Sequence, residues 1–364
     1  MGLVRFLLAF SVLVAHSPFA SQFMVPAEIA VQMFFVISGF YMTMILNTKY
    51  GNRTLTFYKN RALRLYPIYL FVVVLVVSAG SLSEFLFRFR LNNWNSAWDF
   101  YREGHLSLLS FLYVNFMNLT MFCQDSVMYL KIRSGDFVLG YFGDSNPPVH
   151  DFLLVPQAWS LSLELMFYGL APFLVKNRRR VLIVLLLSVA VRVSLHLVGR
   201  SGDPFSYRFF PNEISVFLLG SLSWHFFRQH NISFVARHIN KLLVGFLTSL
   251  VAWPLLFQFN DISRYFVLAF FALFVPYLFE RFKDNRVDRA IGEMSYPFYL
   301  VHLFALQFCS ALVRASGLSE PWLSATSLLA AAIAAVVASW LLAGPFQRYF
   351  EIRRTANLMK ITNR

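Results

Sequence analysis

The chain has 364 residues, of which 58% are hydrophobic and 14% charged, with mean hydropathy +0.57. An ordinary soluble domain is about 25% charged, so roughly half the charge needed for a wetted surface is missing, and a soluble enzyme or a disordered chain is excluded. The 32 Lys+Arg against 18 Asp+Glu give +14; in a membrane protein this excess belongs to the cytoplasmic loops, so no nucleic-acid partner is expected.

Apolar runs of the length that spans a bilayer recur along the chain and predict an all-α integral membrane protein. Spans are expected near 4–23, 27–46, 65–82, 158–175, 181–199, 213–227, 242–258, 264–279, 294–313 and 323–343. Residues 3–23 resemble a signal peptide with Ala20 at the cleavage site. However, the segment has only Arg5 as its basic n-region and an interior histidine, so it is expected to remain. Another apolar stretch, 106–122, contains Asn115, Asn118 and Thr120.

Loop charge sets the orientation. Basic loops carry Lys49, Arg53, Lys59, Arg61 and Arg64; Lys176 with Arg178–Arg180; Arg228, Arg237 and Lys241; residues 280–289; and a tail with Arg348, Arg353, Arg354, Lys360 and Arg364. They fall on one side only if 106–122 does not cross. The expectation is therefore a polytopic bundle of about ten helices, N-in and C-in, with 106–122 re-entrant or interfacial. Residues 83–157, with seven acidic and five basic side chains, are expected as an outer-face segment of turn chemistry without periodicity. Residues 346–364 form a basic cytoplasmic tail. Cys123 and Cys309 make neither a disulfide framework nor a metal site, and no metal is expected.

Ionisable groups inside spans mark functional sites. Arg5 and His16 are 11 residues apart, three helical turns, and so share one face about 16 Å apart. A neutral imidazole there is a proton acceptor; its structural alternative is a histidine satisfied by a backbone carbonyl. Ser160, Glu164 and Tyr168 form a stripe at i, i+4, i+8, and the lone carboxylate needs a partner: His16, an arginine or a substrate hydroxyl. Ser295, Tyr299 and His302, with Tyr296 beside them, form another stripe, which can bind a sugar or glue helices together. Arg61 and Arg64, at i, i+3, suit phosphate oxygens, but on spacing alone the positive-inside rule is the better explanation. Ser38-Gly39 is a small step amid bulk that permits close backbone approach. Arg192 and His196 share a helical face, where they pair or snorkel.

The order of these motifs is distinctive: Arg5 to His16, Phe34-Phe-Val-Ile-Ser-Gly-Phe40, Arg61-x-x-Arg64-Leu-Tyr-Pro67, Trp159-Ser-Leu-Ser-Leu-Glu164-x-x-Phe-Tyr168 and Tyr296-x-x-Tyr299-Leu-Val-His302. Over residues 3–345 the chain resembles the membrane-bound acyltransferase 3 family, which makes 1–345 one transmembrane domain. The family's first motif often has Asp-Gly before the arginine; Leu3 and Val4 stand there instead.

The resemblance implies an O-acyltransferase of the bacterial cytoplasmic membrane. The acyl donor is acyl-CoA from the cytoplasm, with acetyl as the expected group, and the acceptor is a carbohydrate or lipid-linked glycan. It implies no permanently bound cofactor and membrane lipid as surroundings. It gives His16 the catalytic role with Arg5 as companion, and Arg61 and Arg64 the coenzyme A end. It places Glu164, Ser160, Tyr168, Tyr296, Tyr299 and His302 in a polar chamber, with Glu164 expected to orient His16. The competing class is a transporter or flippase of a lipid-linked saccharide, which would consume no coenzyme A. A scaffolding protein explains only the hydropathy.

Overall fold

A computed structural model describes residues 1–17, 24–87, 96–229, 261–315, 322–347 and 349–350. The first two helices are α1 (Gly2–Ala15) and α2 (Ala27–Ile45, prolonged by a π-turn to Tyr50), followed by α3 (Thr54–Phe87). After α4 (Ser96–Arg102) and α5 (Leu108–Thr120) comes an antiparallel hairpin, β1 (Leu130–Arg133) with β2 (Asp136–Leu139). The remaining helices are α6 (Trp159–Leu174), α7 (Arg178–Leu197), α8 (Phe210–Gln229), α9 (Asp261–Phe282), α10 (Arg286–Ala315) and α11 (Trp322–Leu341).

Six of these are long and apolar enough to cross a bilayer: α2, α3, α7, α9, α10 and α11. The protein is thus an all-α membrane protein with six such helices among the described residues, against the ten expected. Helices α1 and α6 have 14 and 16 residues and fall short in length, while α8 includes Asn212, Glu213, His225 and Arg228 in its sequence. The expected span 242–258 and most of the basic tail lie outside the described residues. Helix α5 has 13 residues and reaches only about 20 Å, less than the roughly 30 Å hydrocarbon core.

Helix α2 is the most enclosed of the six. At Gly39 an added Cβ would stand 1.8 Å from the Phe217 carbonyl oxygen of α8, and at Gly220 of α8 it would stand 1.9 Å from that of Val36. The two backbones therefore touch, which only hydrogen side chains allow. Phe35 and Phe167 stack on Phe217 at 4.4 Å each, and Thr43 bonds Ser221 at 2.8 Å. Glu213, wholly buried, accepts from Gln32 at 3.0 Å and pairs with Arg192 at 2.6 Å. Arg192 thus takes Glu213 as its ion partner, and its guanidinium lies 4.6 Å from the Tyr265 ring centre. A buried carboxylate needs such partners because desolvation otherwise exceeds any gain.

Basic loops collect at one end of the bundle. Lys176 donates to the Gly51 carbonyl, Arg178 to Gln229 at 2.8 Å, and Lys49, Lys283 and Arg289 surround one cavity mouth. At the other end, residues 96–157 carry a small core of their own, built from Val114, Met117, Val127, Met128, Val149, Phe152 and Leu153. The segment is not the purely irregular stretch its turn chemistry suggests, since it holds two helices and the hairpin. Asn118, an oddity in an apolar helix, donates to Phe152 O at 3.0 Å and accepts from Leu154 N at 2.9 Å. Tyr69 of α3 donates to Asn118 O at 2.6 Å, which ties the segment to the bundle.

Asp125 also ties it down, accepting from Ser162 of α6 at 2.8 Å. Burial pushes this carboxyl up to about 6, with the Ser162 bond opposing. The folded state therefore binds more protons than the unfolded one between about pH 4 and pH 6. This contribution is most favourable below pH 4, and on the order of 2–3 kcal/mol is lost as pH rises through 6. Asp125→Asn is expected to raise the melting temperature in detergent at pH 7 and to flatten its pH dependence between 4 and 6; parallel wild-type and variant curves would contradict this. Gly220→Ala is expected to cost about 1–3 kcal/mol by forcing α2 and α8 apart, read as a lower melting temperature; an unchanged one would refute the backbone contact.

Candidate active site

One face of α2 carries Val31, Phe34, Ser38, Tyr41 and Ile45 at helical spacing, and with α1, α3, α6 and α10 it lines a cavity of about 600 Å³. This inner cavity opens toward the basic end. Six cationic side chains line it (Arg5, Lys49, Arg61, Arg64, Lys283 and Arg289) against the carboxylates Glu164, Asp288 and Glu293. Arg61 and Arg64 sit near the start of α3, which begins eleven residues before the expected span and so carries both guanidinium groups on a rigid helix. Arg61 is buried beside the Phe57 ring at 5.9 Å. Arg5 has Arg64, Tyr41, Glu164 and Tyr168 as electrostatic neighbours. A concentration of permanently charged, planar donors around a cavity of this size suits a phosphorylated, cofactor-sized ligand.

The α6 stripe faces this cavity as its spacing predicts. Glu164 accepts from Ser38 and from Tyr168, both at 2.5 Å, and Ser160 pairs with the Tyr299 hydroxyl at 2.8 Å. Ser38-Gly39 thus splits its duties: the serine joins the polar cluster while the glycine lets α8 approach. Tyr296 donates to Leu65 O at 2.8 Å and fastens α3 beside the arginines. Asp288, lost among basic neighbours in the sequence, accepts from Gly2 N at 2.6 Å and Leu3 N at 2.9 Å and so caps α1.

His16 lies elsewhere. Helix α1 ends at Ala15, and the sequence continues Ser17-Pro18, where proline disfavours helix in the residue before it. His16 is therefore the exposed C-cap and lines a second cavity of about 290 Å³ at the opposite end from the basic loops. The expected Glu164–His16 bond is not formed, because Glu164 is engaged by two hydroxyls in the inner cavity. Instead, His16 Nδ1 bonds Val12 O at 2.7 Å. A carbonyl can only accept, so Nδ1 is the donor in this bond. His302, fully buried, repeats the pattern through Tyr299 O at 2.6 Å, and the two imidazole rings are 5.4 Å apart.

The outer cavity also presents Glu28, His150, Trp159, Asp203, Tyr207 and Arg208. Sequence reading missed this group except for the Trp159 motif, since its members come from four separate segments. Arg208 lies over Trp159 at 4.3 Å and pairs with Asp203 at 3.0 Å. Burial holds the His150 imidazole below its usual range and pushes Tyr207 up to about 12, so both present neutral hydrogen-bonding groups near pH 7.

The geometry thus supplies a cavity lined by six cationic side chains at one end, the His16 imidazole in a cavity at the other, and the Ser160–Tyr299 pair between them. No curated protein and no solved structure matches the chain. The sequence profile described as an acyltransferase domain spans residues 1–344, nearly all of the chain, and the protein belongs to the acyltransferase 3 family.

Proposed function

We propose that the protein is an integral-membrane O-acyltransferase that moves an acyl group, acetyl by expectation, from cytoplasmic acyl-CoA to a hydroxyl of a carbohydrate or lipid-linked glycan on the far side of the membrane. The observation that carries this reading is the division of residues between the two cavities: Arg5, Arg61 and Arg64 line one, and His16 lines the other. The positive-inside rule assigns the basic end to the cytoplasm, where coenzyme A resides, and puts His16 and residues 96–157 outside. The membrane is taken to be the bacterial cytoplasmic membrane, as the family resemblance implies.

Arg61 and Arg64 hold the coenzyme A phosphates, with Arg5 adding positive field deeper in the cavity. The His16 Nε2 lone pair acts as general base on the acceptor hydroxyl or as the acyl carrier. In the carrier route, Nε2 attacks the thioester carbonyl, a C–N bond forms and the C–S bond breaks. Coenzyme A then leaves as thiolate and takes up the Nδ1 proton that the acylated imidazolium gives up. The acceptor oxygen next attacks the acyl carbon, the C–O bond forms as the C–N bond breaks, and the hydroxyl proton passes to the imidazole. In the outer cavity, the Trp159 and Tyr207 rings and the Glu28 and Asp203 carboxylates match the faces and hydroxyls of a sugar.

His16→Ala is expected to lower label transfer from radiolabelled acetyl-CoA into glycan by at least about 100-fold, in membranes matched for protein content. Unchanged transfer would remove His16 from the chemistry, and absence of coenzyme A release by wild type would overturn the acyltransferase assignment to this substrate pair. Arg61→Ala or Arg64→Ala is expected to raise KM for acyl-CoA by about 10–100-fold, the loss of one charge-assisted phosphate contact. Effects confined to kcat would place these arginines elsewhere.

A further inference from the structure

If donor and His16 occupy different cavities, the acyl group must cross what separates them. Val31 of α2 and Tyr299 of α10 line both cavities, and among the described residues they are the two that do. Both are almost fully packed, at 4% and 7% exposure.

Neither is free to yield. Val31 is β-branched within a helix and strongly prefers one rotamer. Tyr299 is held at its hydroxyl by Ser160 at 2.8 Å and by Gln157 O at 3.0 Å, and its ring lies 6.1 Å from that of Phe34. Gln157 is itself anchored to Leu300 O at 2.5 Å. The partition is therefore lined by a braced tyrosine and a stiff valine.

We propose that Val31 and Tyr299 form the aperture that selects the acyl group by width. This rests on the acyltransferase reading above. A straight, narrow acyl group leads the pantetheine arm through. A group branched next to the carbonyl meets the Val31 methyls and the Tyr299 ring and is rejected. Length is not the criterion, because an extended alkyl chain has no greater cross-section than the arm that carries it. Close-packed walls of this kind discriminate single methyl groups by about tenfold or more.

The test uses membranes containing the full chain and compares label transfer into glycan from radiolabelled acetyl-CoA and isobutyryl-CoA, with coenzyme A release followed in parallel. The readout is the isobutyryl-to-acetyl ratio within each protein. Val31→Ala is expected to raise it at least tenfold, and Val31→Ile to lower it below wild type. Misfolding would depress both transfers and cannot move the ratio in opposite directions in the two variants. Equal ratios in all three proteins, with coenzyme A still released, overturn the aperture alone. Release of coenzyme A from neither thioester by wild type overturns the acyltransferase reading, and the aperture falls with it.

Discussion

The arrangement depends on one close contact, the meeting of the α2 and α8 backbones at Gly39 and Gly220. Two helices pressed together without side chains between them leave α2 no freedom to rotate. The orientation of its opposite face follows from that. Val31, Phe34, Ser38 and Tyr41 must then look into the bundle, where Ser38 meets Glu164 and Val31 meets the path between the cavities. In lipid, where apolar side chains gain little by leaving the solvent, such van der Waals closeness is the main source of helix association.

Around that contact three buried or half-buried carboxylates find partners. Glu213 takes Arg192 and Gln32, Glu164 takes two hydroxyls, and Asp288 takes the first N–H groups of α1. Each pair removes a cost that an isolated charge would impose in a low-dielectric interior. They also serve different ends. The Glu213 pair lies against α7 and closes the structure, whereas Glu164 and its hydroxyls line the inner cavity and remain within reach of a ligand.

Helix α6 connects the two halves of the site. Its entry, Gln157 to Ser160, crosses from the outer cavity lining to the inner one, and Tyr299 bonds to both ends of that step. A polar stripe that lets a helix line one cavity here also braces the wall between two. Residues 96–157 are docked against the same region by Asp125 and Tyr69, so the opening around His16 is shaped by a segment outside the long apolar helices.

Membrane class, the polar stripes and the helical placement of Arg61 and Arg64 were legible in the residues, because hydropathy and 3.6-residue spacing are local properties. The same holds for the small Ser38-Gly39 step, whose purpose was evident though its partner was not. What the tertiary structure decided is which stripes meet. Glu164 and His16 carry complementary chemistry and invite pairing on paper. Yet α1 stops one residue before His16, and the carboxylate finds nearer hydroxyls, so the two groups belong to different cavities. The outer cavity was invisible for the same reason, being assembled from residues far apart in the chain. Periodicity orients a side chain about its own helix axis; only packing between helices determines what stands opposite.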